Sequence, residues 1–228
     1  MTSVRLDLTE RVAWLTLDGP PHNLLDAPAI KELDRALEDV SKNREASVVV
    51  LSGAGDVAFC GGLAAENLAA AELAELVRVY HLMMRKLVRL PQAVVMAVDG
   101  VALGAGFELV SVGDIAVASD RSRFGLPEIR HSALPCVATV VLPTVCGRPV
   151  ASDLILTGSV IDAARAKAVG LVSRVFPTDD FDESLRSVVA HLAEHEPMAL
   201  RKAAETLRGR WLAGFEQGLQ EVERVALR

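Results

Sequence analysis

Two almost wholly apolar runs, Ser47–Gly53 and Gln92–Asp99, constrain this chain more than any other feature. Successive side chains of a strand point to opposite faces, so a strand apolar at both parities must be covered on both. Between the two runs Leu68–Leu90 reads as a long helix, and Asp114–Ala118 repeats the strand signal further on. Buried strands separated by helices call for a largely parallel sheet with helices laid against it. The N-terminal segment fits the same scheme. Val4–Leu8 and Val12–Asp18 form a predicted hairpin around Glu10-Arg11, closed by the turn residues Asp18-Gly19-Pro20-Pro21. Asp26 is placed to cap a helix with Pro28 in its first turn, and Ile30, Leu33, Leu37 and Val40 recur at helical spacing to about Lys42. The resulting expectation is an α/β fold of repeated ββα units. From Cys136 to Arg210 the chain is predicted to be mostly helical, broken at Pro143, Pro149, Pro177 and Pro197, with a short strand at Val172–Phe176. The last helix carries Trp211, Phe215, Leu219, Val222 and Ala226 on one stripe, a face that needs a partner.

With 228 residues, 51% of them hydrophobic, the chain can bury one substantial core, and nothing resembling a linker divides it. A net charge of −6 argues against a general nucleic-acid surface. It leaves room for an anionic small ligand held by a few basic side chains or a helix N-terminus. The longest uncharged run, between His131 and Arg148, is too short and too interrupted by proline to span a membrane. Cys60, Cys136 and Cys146 lie in apolar context without a Cys-x-x-Cys, which predicts buried thiols in a reducing compartment. The N-terminus runs straight into a strand with no basic-then-apolar leader, so a cytoplasmic protein is expected.

Two charged residues stand out against this apolar background. Glu108 lies in Gly104-Ala105-Gly106-Phe107-Glu108-Leu109 and Glu128 in Phe124-Gly125-Leu126-Pro127-Glu128, each following a strand signal. A carboxylate is costly in such surroundings without a task or a partner. Two carboxyls brought together there have their pKa values pushed apart, so that one acts as acid while the other acts as base. Spacing alone leaves helix capping or pairing with arginine equally open.

A third segment separates these readings. Ala58-Phe59-Cys60-Gly61-Gly62-Leu63 follows the first buried strand and leads into the long helix. The order of Phe-Cys-Gly-Gly-Leu, long helix, strand, Ala-Leu-Gly-Ala-Gly-Phe-Glu-Leu, strand, Phe-Gly-Leu-Pro-Glu-Ile resembles the enoyl-CoA hydratase/isomerase (crotonase) superfamily. The resemblance runs from about residue 3 to about residue 215 and includes Leu156-Thr157-Gly158 and Ala163–Val175. It implies a crotonase (ClpP-like) spiral core over residues 1–195 and a helical, apparently shortened C-terminal oligomerisation segment over 196–228. By the family pattern the backbone N–H groups of Leu63 and Ala105 would form an oxyanion hole. Glu108 and Glu128 would hold and deprotonate water and deliver a proton to the α-carbon. Asn23, Leu24, Gly62, Ala64, Ala65 and Gly104 would meet the acyl-CoA.

Within the superfamily, Pro20-Pro21-His22-Asn23-Leu24-Leu25-Asp26 and Leu134–Pro143 are most similar to dienoyl-CoA (cyclohexadienecarbonyl-CoA) hydratases. Val137–Val140 replaces the Gly-Gly-Thr-Gln run of ordinary hydratases. Ala64 stands where the family has Asp, Gly61 where it has Ala, and Ala105 where Gly is frequent, but none of these changes removes an N–H donor. The chain stops at Arg228, where members continue with a further helical segment. The resemblance implies no cofactor and no metal, an acyl-CoA substrate, and a homotrimer or dimer of trimers. Retention of both glutamates favours hydration. A catalytically silent acyl-CoA-binding subunit and an isomerase or decarboxylase are the alternatives. His191-Leu192-Ala193-Glu194-His195 matches a zinc-protease pattern but lacks room for a third ligand well downstream, so a solvated helix surface is expected there. His22, His81 and His131 are isolated and read as structural or substrate-rim residues.

Overall fold

The computed structural model describes residues 1–66 and 68–226, with the side chain of Ala226 outside the described ones. The hairpin forms as expected, β1 (Ser3–Thr9) pairing antiparallel with β2 (Val12–Asp18). Helix α1 (Ala27–Lys42) begins at Asp26, whose side chain accepts from the Ala29 N–H at 2.8 Å. Its stripe of Ile30, Leu33, Leu37 and Val40 is buried.

Three ββα units follow, and each splits its two strands between two sheets. β3 (Val48–Gly53) and β4 (Ala58–Cys60) precede α2 (Ala70–Leu87). β5 (Ala93–Val98) and β6 (Val101–Leu103) precede α3 (Ala105–Val112). β7 (Ile115–Ser119) and β8 (Arg123–Gly125) precede a 3-10 turn, Pro127–His131. Later come α4 (Cys136–Val145), α5 (Arg148–Thr157), β9 (Val160–Asp162), α6 (Ala163–Ala168), β10 (Arg174–Phe176), a 3-10 turn at Thr178–Asp180, α7 (Phe181–Ala193) and α8 (Pro197–Ala226). The larger sheet has the order β1-β2-β3-β5-β7-β10, and the smaller one β4-β6-β8-β9. Within the three units all pairing is parallel: β3 to β5 to β7, and β4 to β6 to β8. The chain therefore advances one strand per unit in both sheets at once, which makes a spiral.

The apolar runs behave as their two-sided patterning requires. In β3, Val49 and Leu51 face the core shared with α1 and α2, while Val48 and Val50 face a second cluster with Phe181, Leu185 and Val189 of α7. The glycines between units are set by close approach. A Cβ on Gly106 would lie 2.1 Å from the Cys60 carbonyl oxygen, so only glycine lets α3 rest against the end of β4.

Two expectations change here. Pro143 does not break the chain into separate helices. It sits exposed in the last turn of α4, where its missing N–H forfeits a single bond near an end that would fray in any case. The stripe on α8 is also not left open. Phe215 and Leu219 are fully buried, and Trp211 and Val222 pack against the main core. The covering surface is α4, with Gly218 close enough that a Cβ there would come within 2.7 Å of Val140 Cγ1. Burying Phe215 and Leu219 contributes about 1.5–3 kcal/mol each. The stripe's partner is thus the chain itself, and it supplies no argument for a second subunit.

Helix α8 is further anchored by a buried cation. Arg208, 4% exposed, donates to the Gln92 carbonyl at 2.6 Å and stands 3.1 Å from Asp114, whose other oxygen accepts from the Val94 N–H at 2.7 Å. Arg208→Met should lower the unfolding free energy by about 3–5 kcal/mol, because it strands a buried carboxylate. Urea unfolding measures this, and a loss below about 1 kcal/mol would show that apolar contacts alone hold α8, as in a weak surface pair.

Candidate active site

Three of the four short strands of the smaller sheet end side by side, and each delivers one piece of the site. β4 leads into Gly61-Gly62-Leu63, β6 into Gly104-Ala105, and β8 into Leu126-Pro127-Glu128. At the first piece, Leu63 makes a parallel bridge with Leu25: the Leu25 N–H donates to the Gly62 carbonyl and the Ala64 N–H to the Leu25 carbonyl, both at 2.9 Å. Alternate groups of an extended segment point to opposite sides. Pairing through residues 62 and 64 therefore leaves the Leu63 N–H aimed away from Leu25, and among the described residues it has no acceptor.

At the second piece, Gly104 adopts φ 53 and starts α3, so the Ala105 N–H is a first-turn amide with no intrahelical acceptor. It too has none among the described residues. The two pieces touch. Gly62 has φ 110, and a Cβ there would lie 3.2 Å from the Leu103 carbonyl oxygen and 3.7 Å from the Ala105 nitrogen. Two open amides from neighbouring turns of the spiral are thus presented together, with the positive end of α3 behind one of them.

Glu108 lies one turn into α3 and is only 4% exposed. Its Oε1 accepts from the Ala138 N–H at 2.9 Å, so the carboxyl caps the start of α4, where Pro135 offers no side-chain cap. Burial pushes its pKa up to about 7, opposed by the N–H donors of α4 and the Tyr80 hydroxyl and reinforced by the charge of Glu128. Glu128 sits in the 3-10 turn after β8. Its Oε1 lies 2.7 Å from where a Cβ on Gly104 would stand, so any side chain at 104 would displace it. Its Oε2 is buried with no hydrogen-bond partner among the described residues, and burial raises its pKa as well. Burial drives both carboxyls towards the neutral form, and the charge of Glu128 pushes Glu108 the same way, so the two are coupled.

The remaining expected residues divide. Gly62 and Gly104 lie at the junction just described. Leu24 is 37% exposed beside Gly61, and Ala64 and Ala65 flank Leu63 half-buried. Asn23 has a different task from the substrate contact expected of it. It is fully buried, its Nδ2 donates to the carbonyls of Ala54 and Ala58 at 2.9 and 2.7 Å, and its Oδ1 accepts from the Gly19 N–H at 2.9 Å. Its amide is consumed in bracing the loops behind β4.

Sequence reasoning missed Tyr80, whose hydroxyl enters the site from α2, and the Ala138 amide that fixes Glu108. The first carries a faint signal, a lone phenol on an aliphatic helix face. The second carries none, since nearly any residue supplies an N–H. His81 is buried rather than at the substrate rim, 2.9 Å from Glu223 of α8. His191 and Glu194 are exposed at the end of α7, as a solvated surface requires. Among the described residues no helix is long and apolar enough to cross a membrane.

Comparison with known proteins gives this geometry a family. The description "Enoyl-CoA hydratase/isomerase" matches residues 7–221. The chain is 32% identical over 224 residues to the 2,3-dehydroadipyl-CoA hydratase of Escherichia coli K12, covering 97% of this chain and 88% of the relative. It is 28% identical over 213 residues to the short-chain-enoyl-CoA hydratase of Clostridium acetobutylicum, covering 91% of this chain and 81% of that one. Among solved structures, an enoyl-CoA hydratase from Bacillus anthracis superposes with a TM-score of 0.89 at 30% identity, over 99% of this chain and 89% of the other. One from Mycobacterium avium subsp. paratuberculosis K-10 gives 0.91 at 26% identity, over 98% and 92%. The chain therefore belongs to the enoyl-CoA hydratase/isomerase family, and its two-sheet spiral with a C-terminal helix is the crotonase fold.

Proposed function

We propose that this chain adds water to an enoyl-CoA thioester, and removes it in reverse, without a cofactor. The observation that carries the reading is the buried Glu108 carboxyl and the half-buried Glu128, with one oxygen buried, beside two backbone amides that have no acceptor among the described residues and come from adjacent turns of the spiral. Adding water to a 2-enoyl thioester moves negative charge onto the thioester oxygen. The Leu63 and Ala105 N–H groups are fixed donors for that charge, each worth about 3–4 kcal/mol in comparable oxyanion holes. Glu108, oriented by the Ala138 amide, takes a proton from water as the water oxygen bonds to the β-carbon. Glu128, whose Oε2 has no partner among the described residues, gives its proton to the α-carbon. Gly62, Gly104, Leu24, Ala64 and Ala65 would shape the channel for the thioester.

The apolar start of α4, Cys136-Val137-Ala138, adjoins Glu108 and favours an unsaturated hydrocarbon acyl group, including the cyclic dienoyl group implied by sequence resemblance. Assembly as a homotrimer or dimer of trimers rests on the family alone, and light scattering showing a stable monomer would remove it.

A screen of crotonyl-CoA, 3-methylglutaconyl-CoA and cyclohexadienoyl-CoA for loss of enoyl-thioester absorbance identifies the substrate class. On the best of these, Glu108→Gln and Glu128→Gln should each lower turnover by at least about 100-fold with folding intact. Near-full activity in either variant would rule out the two-glutamate mechanism.

The protonation of Glu108 is separately measurable through stability. Its carboxyl is held at about 7 in the folded chain against an ordinary 4.5. Between those values the folded state keeps a proton that the unfolded state releases, so stability falls as pH rises through that window and stays lower above it. Glu108→Gln cannot titrate and escapes this loss. Its Tm relative to wild type should therefore rise from about pH 5 to about pH 8. Parallel pH dependences would show that Glu108 is ionised throughout.

A further inference from the structure

Tyr80 is the only tyrosine in the chain. It lies on the buried face of α2, 1% exposed, and its hydroxyl donates to the Ala105 carbonyl at 3.1 Å. That carbonyl is one α-helical geometry already pairs with the N–H four residues on, so the backbone does not need the phenol. An aliphatic core would accept phenylalanine at this position without burying a hydroxyl. The hydroxyl is nevertheless there, beside two parts of the site: the residue that supplies one open amide and, three residues along the same helix and so on the same face, Glu108.

We propose that Tyr80 is a positioning residue for the hydration described above, its hydroxyl turning from the Ala105 carbonyl to Glu108 when Glu108 is ionised and so holding the water-activating carboxylate. The inference rests on that functional reading. No covalent bond changes: the proton stays on the phenol oxygen and only its acceptor alternates. Burial and the neighbouring carboxyls hold the phenol's own pKa well above its usual value, so Tyr80 remains a neutral donor. The acceptor responds to a small set of groups. Glu128 faces Glu108 from the turn after β8, the Cys136 thiol from α4, and the Cys60 thiol from β4 across Tyr80; Glu223 of α8 reaches as far as Cys136. None of these supplies a positive charge, which leaves the Ala138 and Val137 amides and the Tyr80 hydroxyl as the donors that favour the ionised form.

The lone tyrosine makes the test clean. Growth on 3-fluorotyrosine replaces Tyr80 alone and makes its phenol a stronger donor, whereas Tyr80→Phe removes the donor. The carboxyl carbon of Glu108 is followed by 13C NMR across pH and assigned by its disappearance in Glu108→Gln. A hydrogen bond to a charged group is worth about 1.5–3 kcal/mol, so the Glu108 midpoint should rise by about one to two pH units in Tyr80→Phe. It should fall in the fluorotyrosine protein, and the acid limb of kcat/KM should move in the same two directions.

A midpoint that stays put in both proteins, or that moves without the pH profile following, overturns the proposal and leaves Tyr80 as packing. If Tyr80→Phe fails to fold, the fluorotyrosine protein, one atom different, still decides. A wild-type chain that hydrates no thioester sinks the functional reading, and with it the positioning role. The NMR midpoints then show whether the Tyr80–Glu108 pairing itself exists.

Discussion

Parallel pairing of three short strands, β4, β6 and β8, is the constraint on which the site depends. Each strand is three residues long and could hardly be stable alone. They are held because every one is tethered, within a few residues, to a long buried strand of the larger sheet. The pairing of β3, β5 and β7 thereby sets the register of β4, β6 and β8. Once those ends are aligned, the two open amides and the Glu128 carboxyl converge without any long-range contact between side chains. Glycine is required at the places where adjacent turns come closest, Gly62, Gly104 and Gly106, because a Cβ there meets backbone or the Glu128 carboxyl.

The site is costly to the fold in a specific way. A carboxyl at Glu108 is driven towards its neutral form by burial, and Glu128 keeps a buried oxygen without a partner among the described residues. Strain of this kind, located where chemistry is proposed, is offset elsewhere by a core that runs from the hairpin to α8. The α4 helix links the two. Its Ala138 amide fixes Glu108, and its Val140 packs against Gly218 of α8. The C-terminal helix is therefore integral to the core that supports the Glu108 carboxyl, and its deletion would be felt there.

Much of this was legible in the sequence, for a physical reason. Strands apolar on both faces can be satisfied only by two covering layers, which left few alternatives to a parallel α/β arrangement, and helix α1 announced itself through Asp26 and its stripe. The glutamates were conspicuous because charge is expensive among Val, Leu and Phe. Other features were hidden. β4, β6, β8 and β9 are too short to display a period of two. The α8 stripe had to be covered, but periodicity cannot say whether by α4 or by another chain. Pro143 looked like a break because sequence does not reveal how close it lies to a helix end. Asn23 was legible as special, yet its role as a buried brace depends on carbonyls of residues 54 and 58, far along the chain.

The central claim is that the thioester oxygen is held by two backbone amides presented by successive turns of the spiral. A crystal structure with a bound, unreactive CoA thioester tests it most directly. The account predicts the thioester carbonyl oxygen within about 2.7–3.2 Å of both the Leu63 and Ala105 nitrogens, with Glu108 and Glu128 flanking the α- and β-carbons. An acyl group bound elsewhere, or a carbonyl oxygen out of reach of either amide, would contradict it.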